Sequence, residues 1–417
     1  MDWMRLDNAA KIFPAVRRRD WSNVFRLSAT LREPVDPAVL QEAVDALFPR
    51  FPSMMVSLRK GAFWFYLQKL PRAPRVQPDR ACPLAHMSGR ELSQCALRVL
   101  YYHNRIAVEF FHAITDGNGG LIFLKSLTAE YLARLHGLRV PAARGVLRPG
   151  DAPTREELED SFPKAAGSVT MSRKEPSSLR LRGSREPGGF LHLTVATLSS
   201  EALLALAHEH GCTVTSLLTA VMLQAILDVA PGNQGRRWAK VTVPVNLRKF
   251  FGSQTLRNFS LMVNVGVDPR LGSYTLPELC KAVQSQLDSQ LSRQQMAARV
   301  AANVNPERNI LMKLAPLPLK NLVLRLVYRA VGESKGTLCI SNLGNTQLPP
   351  ELEPFVDCLD FIIGPQITYF HNCSVLSYGG KVRINLIRST RLPDLERSFL
   401  TRLVQLGLEV TVESNEG

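Results

Sequence analysis

His112 and Asp116 stand four residues apart in AVEFFHAITDGNGGLIF (107–123), closely followed by Gly117, Gly119 and Gly120. An imidazole titrates near neutrality, so its free form can accept a proton from a nucleophile within hydrogen-bond reach. The alternation before His112 reads as a strand, and the i, i+3, i+4 apolar spacing after it reads as a helix. The histidine is thus expected at a strand end, beside a tight turn that leaves open space before the ring. A buried histidine closing a core strand is the plainer reading of the same residue taken alone. Asp116 could orient the ring or hold the turn, and Gly117 is expected to supply a positive φ as the chain leaves the strand.

A second polar row lies in GTLCISNLGN (336–345), where alternation puts Thr337, Cys339 and Ser341 on one face of a strand. Small hydrogen-bonding side chains in a row suit a polar channel. Ser341, Asn342 and Gly344 are equally good turn formers, and a plain turn after a buried strand is the competing reading.

Two sets of elements must carry these residues. In the first half, strands are predicted at 22–32, 53–69 (turning near Gly61), 95–103 and 105–112, with helices at 37–48 and 119–136. Residues 137–188 hold Pro, Gly, Ser and mixed charges with little apolar periodicity, and read as a mobile crossover or linker. Strands follow at 190–198, 238–245, 258–268, 337–341, 356–363, 366–378 and 381–388. Helices are predicted at 199–210, 213–229, 275–299, 307–331 and 391–407. The expectation is an α/β (α+β) chain with an N-terminal domain over 1–165, a linker over 166–188 and a C-terminal domain over 189–417.

The halves look related. Val99–His112 aligns without a gap on Val375–Arg388, so that the turns His103-Asn104 and Gly379-Gly380 coincide and Arg388 falls where His112 stands. Val24–Leu31 likewise aligns on Leu191–Leu198. A duplication in which the second copy lost its histidine leaves one active site, between the halves.

At 417 residues and 45% hydrophobic content, the chain can bury two cores. No apolar run is long enough to span a bilayer, and MDWMRLDNAAKIFP lacks the apolar stretch of a secretory signal. Seven scattered cysteines without CxxC spacing argue for reduced thiols and a cytoplasmic setting. His208 and His210, two apart on a helix, point away from each other and make a poor metal pair. The net charge of +15 favours anionic partners. The basic residues are spread over Arg17–Arg19, Arg236–Arg237, Arg248–Lys249, Arg257 and 293–335, with no nucleic-acid motif among them, so nucleic acid is set aside. A solvated basic surface, acyl-thioester phosphates and an acidic carrier protein all remain open. A membrane-surface role through 137–188 is weakly supported, because the positive excess of that segment is small.

HAITDG resembles the HxxxDG signature of the chloramphenicol acetyltransferase-like superfamily. That group includes alcohol acetyltransferases, wax ester synthases, polyketide-associated acyltransferases, condensation domains and dihydrolipoamide acyltransferases. GTLCISNLGN is similar to the SNLG-ending segment that the last of these set opposite their histidine. VTVPVNLRKF (241–250) and TLRNFSLMVNVGVD (255–268) resemble the central blocks of bacterial alcohol acetyltransferase-like proteins. The resemblance implies two mixed sheets flanked by helices, paired as a monomeric pseudo-dimer around a channel, with the thioester and the acceptor entering from opposite ends. It implies His112 as general base, Ser341 as donor to the oxyanion, and Asp116 turned away to pair with an arginine, for which Arg248 is the candidate. Asn258, Thr337, Cys339 and Asn342 would line the channel. Acyl-CoA would be co-substrate with an alcohol or amine acceptor, and no bound cofactor or metal is expected. Many relatives carry HHxxxDG, whereas Phe111 precedes His112 here, which draws the chain toward the alcohol acetyltransferase-like branch. An acyl-carrier-protein-dependent transferase of polyketide or lipid biosynthesis, and a non-catalytic binder of acyl thioesters or proteins, stay open as alternatives.

Overall fold

The computed structural model describes residues 2–18, 21, 23–172, 175–230, 236–308, 314–367 and 369–416. Two large open sheets, each with its own apolar core, dominate the described residues. The first has five strands in the spatial order Val356–Ile363, Val24–Leu31, Arg105–Phe111, Leu97–Tyr102 and Gln77–Pro78. Helices Pro37–Leu47 and Gly117–His136 pack together over it. The second has seven, in the order Ser260–Val267, Ala239–Asn246, Leu338–Asn345, His371–Tyr378, Lys381–Arg388, His192–Ser199 and Thr411–Ser414. Its core is closed by helices Val214–Val229, Leu276–Gln290 and Asp394–Gln405. A third sheet, of Trp3–Arg5, Phe65–Lys69 and Val56–Lys60, is not hydrogen-bonded to the other two but adds Val56, Leu58 and Leu67 to the first core.

The aligned hairpins occupy matching places. Arg105–Phe111 lies between Leu97–Tyr102 and Val24–Leu31, and Lys381–Arg388 lies between His371–Tyr378 and His192–Ser199, all antiparallel. The outer strand is offset by two residues from the sequence alignment: Val24 pairs with Phe111, while Leu193, not Leu191, pairs with the equivalent Ile387. A two-residue slip keeps each side chain on its own face, so alternation could not detect it.

The halves do not separate cleanly in sequence. Val356–Ile363, from the expected C-terminal domain, pairs antiparallel with Val24–Leu31 and forms the edge of the first sheet. Phe162 and Ala165, from the expected N-terminal domain, are buried in the second core. Parts of the 137–188 segment are docked, in contrast to the mobile linker expected, while stretches such as 168–172 and 182–185 are exposed. Thr154 caps the short helix Arg155–Leu158, and its Glu157 makes a two-pronged ion pair with buried Arg50, both bonds 2.7 Å. Further along, Leu179 is buried and Ser178 bridges to Trp238.

Other differences have local causes. The strand expected at 53–69 is a hairpin, Val56–Lys60 and Phe65–Lys69. The helix expected at 275–299 ends at Gln290 and restarts at Arg293, where the Ser292 hydroxyl accepts from the Gln295 N–H. Of the helix expected at 307–331, residues 309–313 lie outside the described residues, as do Arg19 of the basic run and Ser22 of the first strand; beyond them Leu317–Val327 is helical. Trp3–Arg5, Ile12–Val16 and Thr411–Ser414 were not anticipated.

Candidate active site

His112 follows the last residue of Arg105–Phe111, and its N–H donates to the Asn23 carbonyl at 2.9 Å, so the ladder fixes the backbone just as the ring leaves the sheet. The imidazole stacks on Phe13 (centroids 4.5 Å apart) and meets the edge of Phe25 at 5.1 Å. Its Nδ1 lies 3.1 Å from Asn258 Oδ1, and Asn258 Nδ2 donates to Asp7 Oδ2 at 3.3 Å. An ionised Asp7 can only accept, which turns the amide oxygen of Asn258 toward the ring. Nδ1 then carries the proton, and Nε2 keeps its lone pair. Burial lowers the pKa of His112 below its ordinary value and outweighs its hydrogen bonds and the charge of Asp116.

Asp116 does not orient the ring. It caps helix Gly117–His136 through the Gly119 N–H (3.1 Å), and its other oxygen accepts from Arg248 Nη1 and the Phe259 N–H, both at 2.8 Å. Arg248 also donates to the carbonyls of Thr255 (2.7 Å) and Arg257 (2.6 Å). One guanidinium thus ties the turn after His112 to the loop carrying Asn258. Burial pushes the Asp116 carboxyl up, but Arg248 and the two N–H donors more than offset it, and the group sits below the usual carboxylate range.

The glycines serve close packing. Gly117 is the first helical residue and is absent from the positive-φ positions, so the left-handed conformation expected there is not what selects glycine. A Cβ at Gly117 would come within 3.0 Å of Leu343 and 3.2 Å of Phe361. At Gly119 it would collide with the Thr115 hydroxyl and the Leu256 carbonyl.

That contact brings the SNLG segment to the histidine turn, because Leu343 lies two residues beyond Ser341. Ser341 sits within strand Leu338–Asn345, largely buried, paired with Ser374, and its hydroxyl has no hydrogen-bond partner among the described residues. The strand runs through SNLG, with a register shift between Asn342 and Asn345 and a positive φ at Gly344, so the segment is an irregular strand end rather than a simple turn. Asn342 is committed elsewhere: its Nδ2 donates to Thr215 Oγ1 at 3.1 Å and its Oδ1 accepts from the Gly344 N–H. Thr337 precedes the strand, and its hydroxyl donates to the Leu179 carbonyl at 3.1 Å. Cys339 is buried, and burial pushes its thiol up to about 12. Ser341 is the one hydroxyl of this row without a hydrogen bond among the described residues, and the Cys339 thiol is too weak a donor to take its place.

Asp7 and Phe13 were missed from sequence. Asp7 is fully buried, and burial raises its pKa to about 6 against the opposing charge of Arg257. Its Oδ1 accepts from the Ala10 N–H at 2.7 Å, a cap-like spacing that DNAA (7–10) carried as a signal. His208 lies in the last turn of helix Ser200–Glu209 and His210 at its C-terminal cap.

No family model matches the sequence, and no curated protein matches it. Solved structures do match along almost the whole length. Polyketide synthase associated protein 5 from Mycobacterium tuberculosis is 14% identical, with 97% of each chain covered and a TM-score of 0.62. TRI101 of F. graminearum, solved with coenzyme A and T-2 mycotoxin, is 12% identical, with 98% of this chain and 99% of that chain covered and a TM-score of 0.64. The first condensation domain of the calcium-dependent antibiotic synthetase is 15% identical over 97% of this chain and 95% of that one, with a TM-score of 0.61. The chain therefore has the two-sheet α/β fold of the chloramphenicol acetyltransferase-like and condensation-domain proteins.

Proposed function

We propose that the protein is an acyltransferase that moves an acyl group from a CoA thioester directly to an acceptor hydroxyl. The observation that carries the reading is the imidazole at the strand end with Nδ1 held by Asn258, which leaves Nε2 to act as base. TRI101, solved with coenzyme A and a mycotoxin, supports a coenzyme A donor by analogy of fold.

In this reading the acceptor oxygen attacks the thioester carbonyl carbon while Nε2 removes its proton. The tetrahedral oxyanion takes a hydrogen bond from Ser341 Oγ, and its collapse expels the CoA thiolate, which receives the proton from the imidazolium. No covalent enzyme intermediate forms, since the thioester is already activated. Proton transfer of this kind contributes about 10²–10⁴-fold, and one oxyanion donor about 3–4 kcal/mol. Asp116, Gly117 and Arg248 hold the turn. The seven cysteines, all free thiols, accord with a reducing, cytoplasmic setting for this chemistry.

The test is release of free CoA from acetyl-, octanoyl- and palmitoyl-CoA against a panel of alcohols and amines, with His112→Ala alongside. Acceptor-dependent release that collapses in the variant supports direct transfer. Release that persists in the variant removes His112 from the role, and silence of both proteins with every pair would point to a carrier-bound donor or a non-catalytic binder.

A further inference from the structure

Helix Leu317–Val327 faces the wrong way for a helix of a water-soluble surface. Leu319, Leu322, Val323, Leu326 and Val327 fall at i, i+3, i+4, i+7 and i+8, the spacing of a single apolar face. That face is turned outward: Leu319, Leu322 and Leu326 are 53%, 55% and 56% exposed. The inward face holds Leu317 and Lys320, and Lys320 is only 1% exposed, with Nζ over the Trp64 ring at 3.8 Å and donating to the Phe63 carbonyl. A lysine sheltered beneath a row of exposed leucines reverses what water alone would select.

At the end of the same helix lies a cleft of about 600 Å³ lined by Arg17, Arg18, Arg325 and Arg329 with His86 and Tyr328. None of the described residues lining it is acidic. Arg325 is held by its Nε bond to the Ala15 carbonyl at 2.6 Å, and the Arg17 guanidinium lies over Gly89, where a Cβ would come within 2.9 Å. Both contacts tie the cleft to helix Ile12–Val16, whose Phe13 stacks on His112.

We infer that Leu317–Val327 is an interfacial helix that seats the protein on an anionic lipid bilayer, with the arginine cleft at the level of the headgroups. An aliphatic stripe beside a basic rim is the pattern of helices that lie in the plane of a membrane surface. A second copy of the chain fits less well, because apposed helices would bring Arg325 and Arg329 of both copies together in a molecule of net charge +15. A protein partner fits less well too, since the stripe holds neither the aromatic residues nor the methionines that enrich protein interfaces. The consequence goes beyond acyl transfer: substrate drawn from the lipid phase would reach the cleft without crossing bulk water. The helix is not part of 137–188, the segment to which the sequence assigns the weaker membrane reading, although Arg185 of that segment donates to the Ile367 carbonyl at the cleft.

Sedimentation of the full chain with phosphatidylcholine vesicles, with and without phosphatidylglycerol, tests this. Wild type is expected to partition onto the mixed vesicles and to be released by salt. Leu322→Glu/Leu326→Glu, both exposed and substituted by a good helix former, should lower partitioning by about tenfold or more. Arg18→Gln/Arg329→Gln should lower it by about five-fold per charge, and His112→Ala should bind as wild type. Unchanged far-ultraviolet circular dichroism shows that each variant is folded. Equal binding by wild type and the leucine variant overturns the inference, as does equal binding to neutral vesicles. A wild-type dimer that the leucine substitutions convert to monomer assigns the face to a second copy, and retention on an acyl carrier protein but not on vesicles assigns it to a protein; either result overturns the membrane reading. Acyl transfer is read separately from binding: a wild type that sediments with the vesicles yet releases no CoA with any donor–acceptor pair counts against the proposed activity and leaves this inference standing.

Discussion

At the scale of single residues, the site depends on how each polar atom is committed. Asn258 has one oxygen and one amide nitrogen, and Asp7 takes the nitrogen, so His112 receives the oxygen. Asn258→Leu is therefore expected to lower kcat by roughly one to two orders of magnitude, the scale of losing a ring-orienting partner, with a smaller effect on KM. With His112 as base and its pKa lowered by burial, kcat/KM should fall with acid only below the ordinary histidine range and stay level through neutrality. A pH–rate profile with its acid limb centred well above that range contradicts the assignment. Asp7 leaves a different signature. Its folded pKa of about 6 lies above the model-compound value of 3.8, so the folded chain binds this proton more tightly than the unfolded chain does. Its contribution to stability is thus most favourable in acid and is lost as pH rises from about 4 to about 6, by up to about 3 kcal/mol. Urea unfolding at either end of that window should show wild type losing ground to Asp7→Asn as pH rises. His112 was legible because its chemistry and strand are contiguous. Asp7 was not, because only the fold brings it to Asn258.

At the scale of elements, the turn after His112 is a joint between two chain segments. Gly119→Ala would drive a methyl group into the Leu256 carbonyl and the Thr115 hydroxyl, and an overpacked site of this kind typically costs about 1–3 kcal/mol. Arg248→Met would strand the buried Asp116 carboxylate without its partner, at a cost of about 3–5 kcal/mol. Both should appear as lowered thermal midpoints, with activity falling through geometry rather than through loss of the base. The strands and the helix around this joint could be read from the spacing of their apolar residues, but that spacing did not show that neighbours cover both faces of Val24–Leu31 and Arg105–Phe111. The reason for Gly117 could not be read, since a glycine chosen for the nearness of Leu343 looks in sequence like one chosen for its φ. Thr337 was misplaced for a related cause: alternation fixes a face, but the docking of Leu179 onto that face comes from a segment with no periodicity of its own.

At the scale of the whole molecule, the halves are related in topology yet unequal in chemistry. In the second hairpin Arg388 stands where the first has His112, fully buried, donating to the Thr390 carbonyl and paired with Glu416. Alternation in Val356–Ile363 shows a strand with a buried face but not which sheet it joins, so the exchange between halves was invisible in sequence. A fragment ending at residue 188 should consequently fail to fold alone, because Val24–Leu31 would present an unpaired apolar edge. Co-expression with residues 189–417 should restore soluble material, and solubility of the lone fragment would disprove the dependence.

The exchanged strand also constrains how the protein can breathe. Val356–Ile363 is zipped to Val24–Leu31, while Asp360 is gripped by Arg383 and the Phe361 carbonyl accepts from Ser374, both on the second hairpin. Swinging the halves apart like the covers of a book would tear one of these attachments. If the protein turns over substrate as proposed, access would rely on small motions of loops and helices at the rim, so turnover would be paced by threading rather than by hinge opening.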